Sequence, residues 1–290
     1  MKSDDWALRK IQLVELEILN VISDFCEKRG ITWFIDSGTC LGALRHGGFI
    51  PWDDDIDIGM MRDDYDAFCE AAACGLPSGY SLHTPLNTSN YAPLFAKVYK
   101  DGTLFENEET RASGTRMGIF VDVFPYDQLV SDKVQRRRQI RNARLSQMRS
   151  YLYHSNVINV PHKGLVGRVE RCGCAGVHYM ERLINRDPAK YIRDFSASIP
   201  NKDRNDPSLS DEYISLPWPD IEPLSYDELM PPRLVSFEDK LYPAPHKAEI
   251  YLTKVYGDWR QVPPEDERHT HLPILVDFGN GDVWRRDARP

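Results

Sequence analysis

The sequence predicts an α+β fold, with a mixed sheet flanked by helices over residues 1–130 and a helical, loop-rich extension over residues 131–290 that packs on it. Three observations lead there. Short β-branched and aromatic runs alternate with amphipathic stretches in the first half, residues 132–184 carry helical spacing, and residues 185–245 hold proline and acid between short apolar pieces. A chain of 290 residues, 41% hydrophobic and 28% charged, is large enough for a buried core and too apolar for a disordered chain.

The elements follow in order. Leu8, Ile11, Ile18, Ile22 and Phe25 recur at three- and four-residue steps between capping residues Ser3 and Asp4 and a stop at Gly30, so residues 3–29 are expected to form a helix that covers the sheet. Ile31 to Ile35 reads as a strand that runs into a tight turn at Asp36, Ser37 and Gly38. A short helix from Thr39 to His46 should end at Gly47 and Gly48, and Phe49 to Met60 reads as a second strand. Arg62 to Ala73 is expected to be helical, 76–92 loop, and Leu94 to Tyr99 and Gly118 to Phe124 two further strands. Asp132 to Tyr153 and Val166 to Ile184 complete the predicted helices.

Charge and cysteine usage exclude several classes. With 36 basic against 44 acidic residues the net charge is −8, which does not suit a general nucleic-acid binder. No apolar run reaches the ~18 to 20 residues of a membrane span, and the N-terminus lacks the apolar segment of a secretory signal, so a cytoplasmic location is expected. Six cysteines in such a chain read as free thiols. Cys172, Cys174 and His178 form part of a metal corner but lack a fourth ligand, and buried thiols are the simpler reading.

The chemistry concentrates in residues 37–58. Asp53, Asp55 and Asp57 alternate, and on a strand side chains two apart share a face at roughly 6.5 to 7 Å. Set among Ile50, Trp52, Ile56 and Ile58, such carboxylates would raise one another's pKa unless a hard cation, Mg²⁺ or Mn²⁺, lay between them. A calcium loop counted from Asp53 would need Gly at position 58 and Glu at position 64; Ile58 and Asp64 stand there. Gly38 and Thr39 open a helix whose N–H groups could cradle a phosphate. Asp122, a lone charge in an apolar strand, is the candidate third acid; a pairing with Arg116 is its structural alternative.

These residues resemble a known family. The Gly38 to Gly42 turn, Arg45-His46 and Phe49-Ile50-Pro51-Trp52-Asp53-Asp54-Asp55-Ile56-Asp57 are similar to the signature of the LicD family of phosphocholine transferases. Gly118 to Pro125 with Asp127 resembles its second motif, and Tyr256 to Trp259 with Pro263 to Glu265 and Arg268 to His271 resembles its C-terminal end. The resemblance implies a nucleotidyltransferase-like fold and transfer of a phospho-alcohol, typically phosphocholine from CDP-choline, to a hydroxyl of a cell-surface glycan, with release of CMP. Related fukutin-type proteins use CDP-ribitol. Asp53, Asp55 and Asp57 would hold Mg²⁺ and the donor diphosphate. Where the family usually has Gly-Gly or Gly-Ser, this chain has Ser37-Gly38-Thr39.

On that reading Asp122 or Asp53 orients the acceptor hydroxyl or takes its proton, and Lys97 and Arg45 are candidate phosphate contacts. His46, His269 and His271 are further candidates, each with a structural alternative. Lys133, Arg136, Arg137, Arg138, Arg141, Arg144 and Arg149 make a basic helix, either a solvated face or a surface for an anionic, lipid-linked glycan acceptor at the inner membrane face. Two other functions stay open: a nucleotidyltransferase that leaves NMP on its substrate, and a non-catalytic binding protein of the same fold.

Overall fold

The computed structural model describes residues 5–157, 164–185, 187–200, 206–265, 268 and 273–286. The first half runs α1 (Asp5–Glu27), β1 (Phe34–Ile35), α2 (Ser37–His46), β2 (Asp57–Met61), α3 (Arg62–Gly75), β3 (Tyr80–His83), β4 (Ala96–Lys100), β5 (Leu104–Glu106), α4 (Glu108–Ser113) and β6 (Phe120–Val130). Helices α5 (Lys133–His154), α6 (Gly164–Ile184) and α7 (Ala189–Ser196) follow, then β7 (Leu209–Ile214), β8 (Leu224–Ser225) and α8 (Tyr226–Leu229). The chain continues through β9 (Arg233–Phe237), β10 (Lys240–Ala244), α9 (Ala248–Tyr256), β11 (Leu275–Asp277) and β12 (Val283–Arg285).

The fold is α+β, as the patterning predicts. The main sheet has the order β1-β2-β6-β4-β3, with β2 and β6 parallel and the other neighbours antiparallel. Strand β6 is long because its apolar alternation continues through Pro125, and beyond that residue it pairs with β7, which carries β8. Ala7, Ile11, Ile18, Leu19 and Ile22 of α1 are fully buried against the sheet, where the amphipathic stripe removes its apolar area from water. Residues beyond 130 thus add strands to the same sheet, and β11 pairs with β5.

Several boundaries differ from the sequence reading. Ser3 and Asp4 lie outside the described residues, and β1 holds only Phe34 and Ile35. The expected strand 49–60 begins at Asp57: Pro51 and Trp52 form a turn in which the Asp53 N–H donates to the Ile50 carbonyl at 3.0 Å, so Asp53 and Asp55 lie on a loop. Strand β3 interrupts the expected loop 76–92. Cys26 and Cys40 are buried free thiols, whereas Cys172 is exposed on α6, so the buried-thiol expectation fails there. His178 is buried with Nδ1 at 2.8 Å from the Leu152 carbonyl oxygen.

Candidate active site

Sheet register builds the centre of the site. Asp122 on β6 lies opposite Asp57 on β2 and opposite Lys97 on β4, so three charged side chains form a row on one face across three strands. Lys97 Nζ is 2.5 Å from Asp122 Oδ1 and 3.7 Å from the Phe120 ring centroid, a cation paired both to a carboxylate and to an aromatic face. Lys97, not Arg116, is therefore the ion-pair partner of Asp122. The row opens into a cavity of about 430 Å³ lined by Asp36, Ser37, Asp55, Asp57, Tyr126 and Tyr256 among others.

Helix α2 points its N-terminus at this cavity. Asp36 caps it, accepting from the Ser37 N–H at 2.8 Å, and Gly47 ends it in the left-handed region with φ 71°. First-turn N–H groups have no partner within their own helix, so they suit a phosphate. Ser37 adopts φ 44°, a conformation costly for any residue with a Cβ. Gly38 is needed for a different reason: a Cβ there would lie 2.7 Å from Asp53 Oδ2. Thr39 is buried, and its hydroxyl accepts from the Asp57 N–H at 2.9 Å, so it fixes the start of β2.

The remaining expected contacts are less central. Arg45 Nη1 donates to the carbonyls of Trp259 at 2.9 Å and Gln261 at 3.2 Å, which ties α2 to the C-terminal segment. His46 accepts from Arg45 Nε at 3.0 Å, and burial followed by that neighbouring cation lowers its pKa. His269 and His271 lie outside the described residues.

Sequence reasoning missed Glu15, Asp36, Tyr126 and Tyr251. Glu15 is fully buried on α1, neither carboxylate oxygen has a hydrogen-bond partner, and burial, then Asp55, Asp54, Asp53 and Asp122, push its pKa well above the usual range. The signal was an acid in the stripe Ile11, Glu15, Ile18, Ile22, where helical spacing demands an apolar residue. One turn earlier, Gln12 Nε2 donates to the Asp53 carbonyl at 2.8 Å and anchors the acidic loop to α1. Asp36 accepts from the hydroxyls of Tyr126, at 2.9 Å, and of Tyr251; burial raises its pKa and these two donors counter part of that rise.

The acids are crowded in a poorly solvated place. Burial, then Asp55, raises Asp57 well above the usual carboxylate range, and burial, then Asp55 and Asp54, raises Asp53. Burial also raises Asp122, against the opposing effect of Lys97. Among the described residues no group of three or more His, Cys, Asp and Glu side chains forms a ready-made metal cage. Mg²⁺ does not require one, because it usually takes one or two carboxylates and completes its shell with phosphate oxygens and water. An all-oxygen donor set whose members repel one another, beside a phosphate-ready helix end, fits that ion.

Residues 30–162 match the model of the LicD/FKTN/FKRP nucleotidyltransferase domain. It is 26% identical over 275 residues to the lipopolysaccharide cholinephosphotransferase LicD of Haemophilus influenzae, covering 91% of this chain and 95% of that one. Human ribitol 5-phosphate transferase FKRP is 45% identical over 38 residues, 13% of this chain and 8% of that one. Human ribitol-5-phosphate transferase FKTN is 35% identical over 63 residues, 21% of this chain and 14% of that one.

Proposed function

We propose that the protein transfers a phospho-alcohol, in the first instance phosphocholine from CDP-choline, to a hydroxyl of a cell-surface glycan and releases CMP. The observation that carries this reading is the row Asp57, Asp122, Lys97 facing the N-terminus of α2 across one cavity. The similarity to a cholinephosphotransferase along most of both chains supports the choice of alcohol. Asp55 and Asp57, with Asp53 beside them, would hold Mg²⁺, which when bound neutralises charge on the donor diphosphate. The α2 N–H groups and Lys97 would hold the phosphates, and Asp122 or Asp53 would orient the acceptor hydroxyl and receive its proton. Trp218, 58% exposed at the cavity rim, offers a face for the cytosine base.

A donor screen with CDP-choline, CDP-ribitol, CDP-glycerol and CDP-ethanolamine plus Mg²⁺ tests the reading, and CMP release is the expected result. Pyrophosphate release from a nucleoside triphosphate would instead make the protein a nucleotidyltransferase, and tight donor binding without product would make it a binding protein. Membrane docking through the basic helix is weakened as a reading, because Arg136, Arg144 and Arg149 of α5 pair with Glu212, Asp220 and Glu181. No helix among the described residues is long and apolar enough to cross a membrane.

The acid cluster also predicts a pH profile. The raised carboxyls keep protons in the folded chain that the unfolded chain gives up, so stability of the metal-free protein should fall as pH rises from about 4, the ordinary aspartate value, through about 8, the value to which Asp53 is pushed. Mg²⁺ at roughly a hundred times its Kd should add about 2.7 kcal/mol at pH 8, or roughly 5 to 10 °C in Tm, and less at pH 5. Thermal denaturation with and without Mg²⁺ measures this; identical shifts at both pH values would rule out the cluster as the binding site.

A further inference from the structure

We infer that α6 (Gly164–Ile184) docks the protein on an anionic lipid bilayer through its outward apolar face. The helix is amphipathic, and its polarity is the reverse of what a helix packed on a core requires. The side that packs on the protein holds Gly167, His178 and Glu181, all buried. His178 Nδ1 lies 2.8 Å from the Leu152 carbonyl oxygen, and Glu181 accepts from Arg149 Nε at 2.7 Å and from the Tyr191 hydroxyl at 2.7 Å. The opposite side carries Leu165, Val166, Val169, Met180, Leu183 and Ile184, every one exposed, with Leu165 at 76% and Leu183 at 80%.

Helical geometry makes these six residues one stripe. At 3.6 residues per turn, Leu165, Val169, Met180 and Leu183 fall within about 60° of one another around the axis, and Val166 and Ile184 widen the arc to about 100°. The stripe runs the length of a 21-residue helix, or about 30 Å. Gly173 and Gly176 lie on the same arc between its two ends, and a Cβ on either would meet nothing within 4 Å, so no described residue covers the middle of this face. Apolar surface of this extent gains free energy when removed from water, and it marks a place where something else covers the protein.

Charge selects what covers it. Arg168, Arg171 and Arg182 are exposed and follow one edge of the stripe, whereas Glu181 is buried against Arg149 and Glu170 is half-buried. The exposed charges of this helix are therefore all positive, in a chain whose net charge is −8. An apolar face edged by arginine suits the boundary between anionic headgroups and acyl chains, where such a helix lies in the plane of the interface with its apolar side sunk roughly 5 to 10 Å. No described helix is long and apolar enough to cross a bilayer, which leaves α6 the in-plane position. A second copy of the chain fits worse, because antiparallel packing of two such stripes sets Arg168 and Arg171 of one helix against Arg182 of the other. The charge comes from α6 itself, so the paired arginines of α5 are not needed.

The docking does not depend on the reaction proposed above, and its test reads binding alone. The full chain should float with vesicles of phosphatidylcholine mixed with phosphatidylglycerol and far less with phosphatidylcholine alone. Arg168→Gln/Arg171→Gln should weaken that binding about tenfold or more at low salt. Leu165→Glu/Leu183→Glu should weaken it by at least about the same factor at low and high salt, because what is lost is apolar burial. All four side chains are exposed, so the Tm of each variant should stay within about 2 °C of the wild type. Cys172 supplies a readout that needs no variant, since it is exposed beside Leu165 on the helix wheel, while Cys74 is exposed on α3. Anionic vesicles should slow alkylation of Cys172 by a membrane-impermeant maleimide severalfold and leave Cys74 unchanged. Vesicle binding that neither double variant weakens, or alkylation of Cys172 that anionic vesicles do not slow, overturns the inference. A dimer in solution that Leu165→Glu/Leu183→Glu dissociates, with no vesicle binding by the wild type, overturns it as well and gives the stripe to a second copy.

Discussion

Asp57→Asn is expected to lower turnover of the CDP-alcohol by about a hundredfold to a thousandfold or more, and at the same time to make the metal-free protein more stable. The two effects have one cause. Asp57 is half-buried, and Asp55, Asp122, Asp36 and Asp53 all oppose its ionisation, so its negative charge is a liability in the metal-free chain. An amide of the same shape keeps the packing and removes the repulsion, as sites tuned for function rather than stability allow. Its backbone tie is unaffected, since Thr39 holds the N–H of residue 57 and not the side chain. The variant should therefore melt higher than the wild type without metal, lose most of the Mg²⁺-induced rise in Tm, and release CMP only slowly. Wild-type turnover in the presence of Mg²⁺ would remove Asp57 from the machinery, and a lower melting point would refute the repulsion argument.

How much of this was legible in the sequence depends on whether the relevant force is local. Asp57 and Asp122 could be read because each is a charge inside an apolar strand, which burial makes conspicuous. Asp53 and Asp55 were read correctly as neighbours of Asp57 and wrongly as strand residues, because alternation alone does not register the turn that Pro51 and Trp52 impose. The pairing of Asp122 with Lys97 depends on the antiparallel register of β4 and β6, which no spacing within either strand encodes. Asp36 looked like an ordinary turn residue; its role depends on Tyr251, some two hundred residues away in sequence and brought near only when α9 packs on α2. Glu15 is intermediate: its place in the apolar stripe was visible, but the meaning of an acid there emerges only with the aspartates across from it. Helix starts and stops set by local capping, such as Gly47 after His46, were read to within a few residues.

Asp127→Asn is expected to be the most destabilising of these substitutions, at about 3 to 5 kcal/mol, or roughly 6 to 20 °C in Tm for a chain of this size. In sequence Asp127 belongs to the same family-like motif as Asp122, yet the structure gives it different work. It is 1% exposed and takes a two-pronged contact from Arg62, with Nε at 2.6 Å from Oδ1 and Nη2 at 2.8 Å from Oδ2. Burial opposes the charge on Arg62, and Asp127 more than restores it, leaving the guanidinium pKa above its ordinary value. Arg62 opens α3 directly after β2, while Asp127 lies one residue beyond the β2–β6 register pair Met61 and Tyr126. The ion pair therefore clamps the two parallel strands at the end opposite Asp57 and Asp122, and a slip there would move the acid row. Removing Asp127 leaves the buried guanidinium with only the more distant and more exposed Asp66 carboxylate, at 3.4 Å, whereas replacing both Arg62 and Asp127 with apolar residues of similar volume removes the desolvation cost together with the attraction. The double variant Arg62→Met/Asp127→Leu should accordingly recover most of the stability lost by Asp127→Asn. Its turnover then reads the clamp alone: near-normal turnover would mean that packing suffices to hold the register, and a stable but slow enzyme would mean that the ion pair sets the spacing of Asp57 and Asp122. A fall of less than about 2 °C in Asp127→Asn would show that the buried pair contributes no more than an exposed one.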